Sequence, residues 1–390
     1  MALKTAGRGI IPPFIVMEVL RRATQLEQAG GDVRHLEVGQ PSTGAPRGVI
    51  EAAKRALDTD RLGYTEALGI RPLREAIARH YADRYGLALR PERIVVTTGS
   101  SGGFLLSFLA AFDPGDRVAL AAPGYPCYRH ILTGLGIEPV LLETGPAERY
   151  QPTIALLERA EREGGRLDGL ILASPSNPTG TMVTPRELKE LADYCHRRGI
   201  RLISDEIYHG IGYGTVEEAS AAAFSDSAVV INSFSKYFSM TGWRLGWMVV
   251  PEDLARAIEC LAQNLFINAP TLSQIAGVAA FDCREELDGH VANYARSRAH
   301  LMQALPAAGI GDFLAPDGAF YIYADIARLT NDSHAFCTAL LEETGVACTP
   351  GVDFDAARGA HTMRFSFARK PQEIAEAADR LATWLKNRGH

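Results

Sequence analysis

The chain has 390 residues, 47% of them hydrophobic and 22% charged, the ordinary balance of a soluble globular protein long enough for two or three domains. Its 40 basic and 46 acidic residues leave a net charge of −6 with no basic block, which argues against a nucleic-acid surface. Six scattered cysteines form no C-x-x-C pair, ten histidines form no H-E-x-x-H, and no apolar run nears the ~18 residues a membrane span needs. A disulfide framework, a metal site and a membrane partner are therefore not expected.

Lys4 and Arg8 precede an apolar patch near the start, but Pro12, Pro13 and Glu18 interrupt it. The segment reads as mature protein of a cytoplasmic enzyme rather than a signal peptide. Periodicity predicts a helix over 16–28 and a strand over 35–38, then a Gly39-Gln40-Pro41 turn. Helices over 46–57 and 72–85 each have proline at or near the first turn, and Gly63-Tyr64-Thr65 lies between them. From about residue 93 the pattern becomes strand, loop, helix, repeated. Strands are predicted at 93–98, 117–121, 139–142, 169–173, 201–204, 228–231 and 245–250, with helices in most gaps, as over 185–198 and from Phe104. This alternation predicts an α/β fold around a mostly parallel sheet covered on both faces. Residues 247–250 follow the preceding strand with little room for a crossover helix, so that strand is predicted antiparallel. A long helical region over 271–305 leads to strands at 319–324, 346–349 and 363–367 and helices at 334–344 and 373–387. The predicted division is a large domain over 47–290 and a smaller α+β domain made of 1–46 and 291–390.

The stretch Ser233-Phe234-Ser235-Lys236, followed by Gly242 and Arg244, holds one lysine among small hydroxyl residues after an apolar run. A surface lysine is usually a solvated charge. At the end of a buried strand it must lose its charge or find a partner, and a neutral amine there makes Schiff bases with carbonyls, including the aldehyde of pyridoxal phosphate. Other unusual residues also follow strands, where ligands bind in open parallel sheets. Gly99-Ser100-Ser101-Gly102-Gly103 is either a flexible turn or a phosphate cradle at a helix start. Tyr125, in Pro123-Gly124-Tyr125-Pro126, is a core aromatic or a ring platform. Ser174-Pro175-Ser176-Asn177-Pro178-Thr179-Gly180 fixes an extended loop that aims one amide. Asp205 and Tyr208 end another apolar strand, where the carboxylate is a helix cap or the partner of a buried cation. Glu206 and His209 read as surface or satisfied core. Arg364, on an otherwise apolar strand, is an exposed face residue unless a carboxylate binds it.

Together these motifs, from Gly39 to Arg364, resemble the class I/II pyridoxal-phosphate-dependent aminotransferases of fold type I. The resemblance implies pyridoxal 5′-phosphate as cofactor and Lys236 as its attachment point and proton shuttle. It implies phosphate contacts from Gly99, Ser100, Ser101, Ser233, Ser235 and Arg244. Tyr125 would stack on the pyridine ring, Asp205 would pair with its nitrogen, and Asn177 and Tyr208 would donate to its phenolic oxygen. Arg364 would grip the substrate carboxylate, bordered by Gly39 and Asn177, and Tyr64 would reach the phosphate of a neighbouring subunit, implying a homodimer. Asp355 stands where relatives often have glycine, a change confined to a local turn. The expected reaction moves an amino group between an L-amino acid and a 2-oxo acid such as 2-oxoglutarate. Only one carboxylate-binding arginine is evident, with Arg8 an unsupported second, so a neutral donor is expected: aromatic, aliphatic or alanine. The alternatives are a lyase or synthase of the same fold, a non-catalytic effector-binding module, and a nicotinamide oxidoreductase whose glycine fingerprint is missing here.

Overall fold

In the computed structural model, which describes residues 3–389, one seven-stranded sheet carries the larger part of the chain. Its strands are β1 (Ile94–Thr97), β2 (Arg117–Ala122), β3 (Glu138–Glu143), β4 (Gly169–Ala173), β5 (Arg201–Asp205), β6 (Val229–Ser233) and β7 (Gly246–Val249). The spatial order is β1-β7-β6-β5-β4-β2-β3. Only β7 is reversed, pairing antiparallel with both β1 and β6, as the short link before it predicts. The other inter-strand pairings are parallel.

Successive side chains on the central strands enter opposite layers, which is why those runs are apolar throughout rather than alternating, whereas the edge strand β3 is bounded by Glu138 and Glu143. Val95, Val229 and Ile231 join a core beneath helices Gly99–Ala111 and Glu252–Leu265. Ile94, Val230 and Trp247 join the opposite core, with Leu73 and Ile77 of helix Arg71–Tyr85 and Leu188 and Leu191 of helix Pro185–Arg198. That last helix shows how local sequence sets an element. Thr184 accepts from the Glu187 amide at 3.2 Å while the Glu187 carboxylate accepts from the Thr184 amide at 2.7 Å, Pro185 fills the first turn, and Gly199 ends the helix in the left-handed region. Truncating one fully buried leucine of these layers, such as Leu170, costs about 2–5 kcal/mol.

A second, three-stranded antiparallel sheet sets Thr362–Ser366 between Thr349–Pro350 and Tyr321–Asp325. The strand predicted over 35–38 shortens to Arg34–His35, paired parallel with Val346–Ala347. Beyond His35 the ladder breaks: Leu36 donates to Ala347 but accepts from Ser366, so the chain passes between the two small sheets towards Gly39. The segment predicted as one strand at 346–349 divides for the same reason. The helical region after Thr271 is two helices, Thr271–Ala280 and Arg284–Ala307. Asp355, at the position flagged as a departure, accepts from the Ala357 and Arg358 amides and caps its own turn. No helix among the described residues is long and apolar enough to cross a membrane.

Candidate active site

The carboxyl ends of the parallel strands meet Gly39 and Arg364 around one cavity. At one end lies the start of helix Gly99–Ala111. The helix predicted from Phe104 begins five residues earlier, so Ser100 and Ser101 line the cavity from its first turn, where amide N–H groups lack helical partners and favour an anion. Glycine propensity argued for a loop, but tertiary packing overrides it. Gly99 has φ +67°, and a Cβ there would lie 2.5 Å from Arg244 Nη2, so only glycine lets the guanidinium close on the helix start. Ser235 and Arg244 also line this end. Ser233 does not. Its hydroxyl faces inward, donating to the Leu245 carbonyl at 3.1 Å and lying 2.9 Å from Ser235 Oγ, from which it can accept, so it supports Ser235 from behind.

The middle of the cavity holds two ionisable groups out of water. Burial pushes the Lys236 amine down to about 8, reinforced by the nearby Arg364 charge and opposed by Asp205. Its one hydrogen bond is to the Gly39 carbonyl, at 2.5 Å. Burial pushes the Asp205 carboxyl up to about 6, although Tyr128 Oη and the Ile207 amide both donate to it and hold it lower than burial alone would. Tyr125 and Tyr208 line the same space, and burial raises both phenols well above their ordinary range.

At the far end Arg364 is only 2% exposed despite its charge. It donates to Asn177 Oδ1 at 2.7 Å, Thr349 Oγ1 at 3.2 Å and the Glu37 carbonyl, and its guanidinium carbon stands 4.4 Å from the Tyr321 ring centroid. Its Nε has no partner among the described residues. A buried, unpartnered guanidinium N–H is a donor held ready for an anion. The Asn177 oxygen is engaged by Arg364, which leaves its amide nitrogen to donate elsewhere.

Two residues of the cavity escaped the sequence motifs. Tyr128, three positions after Tyr125 on helix Pro126–Leu135, holds Asp205; its spacing was visible, its direction was not. Tyr321 meets Tyr208 hydroxyl to hydroxyl at 2.7 Å. Arg8, the unsupported second arginine, is exposed near the chain start and does not line the cavity, while Tyr64, expected to serve a neighbouring subunit, is 86% exposed in this single chain. Glu206 and His209 are core. Glu206 accepts from Ser204 and the Ala221 amide, and His209 joins Tyr85 to the Ser174 carbonyl. No cluster of ligating side chains among the described residues could hold a metal ion.

A family profile described as aminotransferase class I and II matches residues 32–381. The chain belongs to this family. It is 51% identical over 389 residues, 99% of each chain, to a valine–pyruvate aminotransferase of Mycobacterium tuberculosis. It is 33% identical over 377 residues, 95% of this chain and 96% of the other, to a (5-formylfuran-3-yl)methyl phosphate transaminase of Methanocaldococcus jannaschii. The crystal structure of an aminotransferase from M. tuberculosis superposes with a TM-score of 0.96 at 50% identity, covering 99% of this chain and 100% of that one. The chain is a pyridoxal-phosphate-dependent aminotransferase of fold type I. The cavity of this aminotransferase suits the cofactor: an anion-binding helix start, a buried carboxylate with no cation beside it but Lys236, a depressed amine and an aromatic wall occur in one space.

Proposed function

We propose that the enzyme transfers the amino group between a neutral aliphatic L-amino acid, valine first, and pyruvate or 2-oxoglutarate. The observation that carries this reading is the lining of the cavity. Arg364 is the one arginine outside the helix-start end, and Phe14, Val16, Met17 and Val38 supply an apolar wall with no second cation for a side-chain carboxylate. The name of the M. tuberculosis relative supports the same donor class.

Ser100, Ser101, Ser235 and Arg244 hold the cofactor phosphate, with Gly99 giving the guanidinium room and Ser233 bracing Ser235. Asp205 would pair with the pyridine nitrogen, Tyr125 would flank the ring, and Asn177 and Tyr208 would donate to the phenolic oxygen. Pyridoxal phosphate supplies, when bound, an aldehyde for the amine and a sink for the electrons left at Cα. Arg364 turns its free Nε and the adjoining N–H groups to the α-carboxylate, beside Gly39 and Asn177, and so fixes which Cα bond faces Lys236. Lys236 Nζ would anchor the cofactor between turnovers and, once the substrate amine displaces it, would move the Cα proton to the former aldehyde carbon, with the opposite transfer when the 2-oxo acid is aminated. An amine with a pKa near 8 suits both duties near neutral pH. Tyr64, exposed in one chain, serves the phosphate site of a second copy, so the working unit is a homodimer in the cytoplasm. Residues 47–290 form the cofactor domain, and 1–46 with 291–390 form the domain that closes on substrate.

A screen of L-amino acids against pyruvate and 2-oxoglutarate tests the substrate reading. Valine, leucine and alanine should exceed aspartate in kcat/KM by about 100-fold, the scale of one unpaired carboxylate. Equal or better turnover of aspartate would overturn it.

A further inference from the structure

Tyr321 touches most of the groups that the chemistry needs. Its ring carries Arg364, its hydroxyl meets Tyr208 at 2.7 Å, and the same hydroxyl lies where a Gly39 Cβ would fall, 1.7 Å away. Gly39 in turn accepts from Lys236. Tyr321 comes from the three-stranded sheet and Tyr208 from the loop after β5, so this hydrogen bond joins the substrate side of the cavity to the cofactor side. Two hydroxyls that share one hydrogen bond keep one O–H free. Both residues line the cavity, and neither hydroxyl has another partner among the described residues.

We infer that Tyr321 is a positioning residue with two separable parts. The ring holds the Arg364 guanidinium flat for the carboxylate, and the hydroxyl donates to Tyr208, freeing the Tyr208 proton for the ligand and making it a stronger donor. The charged and titratable groups facing Tyr208 are Asp205, Lys236 and Arg364, with Tyr128 and Tyr321 as buried phenols. Through Tyr208 the hydroxyl would set the pH at which the bound cofactor's absorbance titrates, because a stronger donor at the phenolic oxygen favours the anionic form there. This rests on the proposed contact between Tyr208 and the cofactor.

The test uses the cofactor-loaded dimer, with isovalerate as an unreactive carboxylate probe. Tyr321→Phe keeps the ring and removes the hydroxyl. It should raise the midpoint of the absorbance titration by at least about half a pH unit while leaving isovalerate affinity within about twofold. Tyr321→Leu removes one of the two rings against Arg364, Phe354 at 4.7 Å being the other, and should weaken isovalerate about fivefold, within the scale of one lost cation–aromatic contact. Tyr208→Phe is the reference. If it leaves the midpoint unmoved, the assignment of Tyr208 to the cofactor fails. If Tyr208→Phe moves the midpoint and Tyr321→Phe does not, the inference about Tyr321 fails alone. Loss of isovalerate affinity in Tyr321→Phe would also overturn it, by showing that the hydroxyl serves the carboxylate instead. Circular dichroism and cofactor content of each variant separate these outcomes from misfolding.

Discussion

Lys236 donates to the carbonyl of Gly39 at 2.5 Å, across 197 residues of sequence. The bond ties the lysine loop after β6 to the segment that crosses between the small sheets. It depends on Gly39 having no side chain, since a Cβ there would overlap the Tyr321 hydroxyl. Gly39→Ala must therefore displace either Tyr321 or the segment itself. The expected result is a fall in kcat/KM of about 100-fold, the scale of a ~1 Å misplacement, with a smaller loss in thermal midpoint. Steady-state kinetics beside a melting curve would check it.

The buried amine makes a pH prediction for the cofactor-free protein. The folded pKa of Lys236 is about 8 against 10.5 for the ordinary side chain, so between those values the unfolded chain binds the extra proton. This group therefore costs stability below pH 8, and the cost disappears as pH rises to 10.5. Lys236→Met should be more stable than the parent by about 3 kcal/mol at pH 7, with the difference shrinking towards zero near pH 10.5. Urea melts of both proteins at several pH values would show it. A pH-independent difference would mean that the lysine is not charged at a cost in the fold.

Tyr128 and Asp205 predict a shift of the acid limb. The Tyr128 hydroxyl lowers the carboxyl that burial raises, so Tyr128→Phe lifts the Asp205 pKa above about 6. A carboxylate paired with a protonated ring nitrogen must be ionised, so the variant should lose activity at a higher pH on the acid side. A displacement of about one pH unit in the profile of kcat/KM is expected, with cofactor affinity reduced about tenfold.

The carboxylate grip predicts that charge alone is insufficient at Arg364. Arg364→Lys keeps the cation but loses the planar fork, the bond to Asn177 and the stack on Tyr321. KM for the amino acid should rise by about 100-fold, with a smaller change in kcat. Stopped-flow titration of the half-reaction separates the two.

Much of this site is legible in the sequence because it lies at strand ends, and strand ends are marked by apolar runs stopping at polar residues. Asn177, Asp205 and Lys236 are found that way. Arg364 is legible only through its resemblance to a family, since one arginine in a five-residue strand has no local signature of burial. Tyr128 and Tyr321 were missed because a tyrosine in a core helix or strand looks the same whether its hydroxyl meets a carboxylate, another phenol or solvent. Ser233 and Ser235 share a motif but not a direction: one packs inward and the other faces the cavity. The helix start at Gly99 was hidden because its stability comes from packing on Arg244 and β7, not from the propensity of three glycines and two serines.

Exchange of the Cα proton reports directly on Lys236 as the group that moves it. Lys236→Ala, loaded with pyridoxal phosphate, is mixed with L-valine deuterated at Cα, and loss of the label to water is followed by mass spectrometry. Wash-out should be slower than in the parent by about 10⁴-fold, the upper range for one general base, with near-normal isovalerate binding. Wash-out at the parental rate would contradict it.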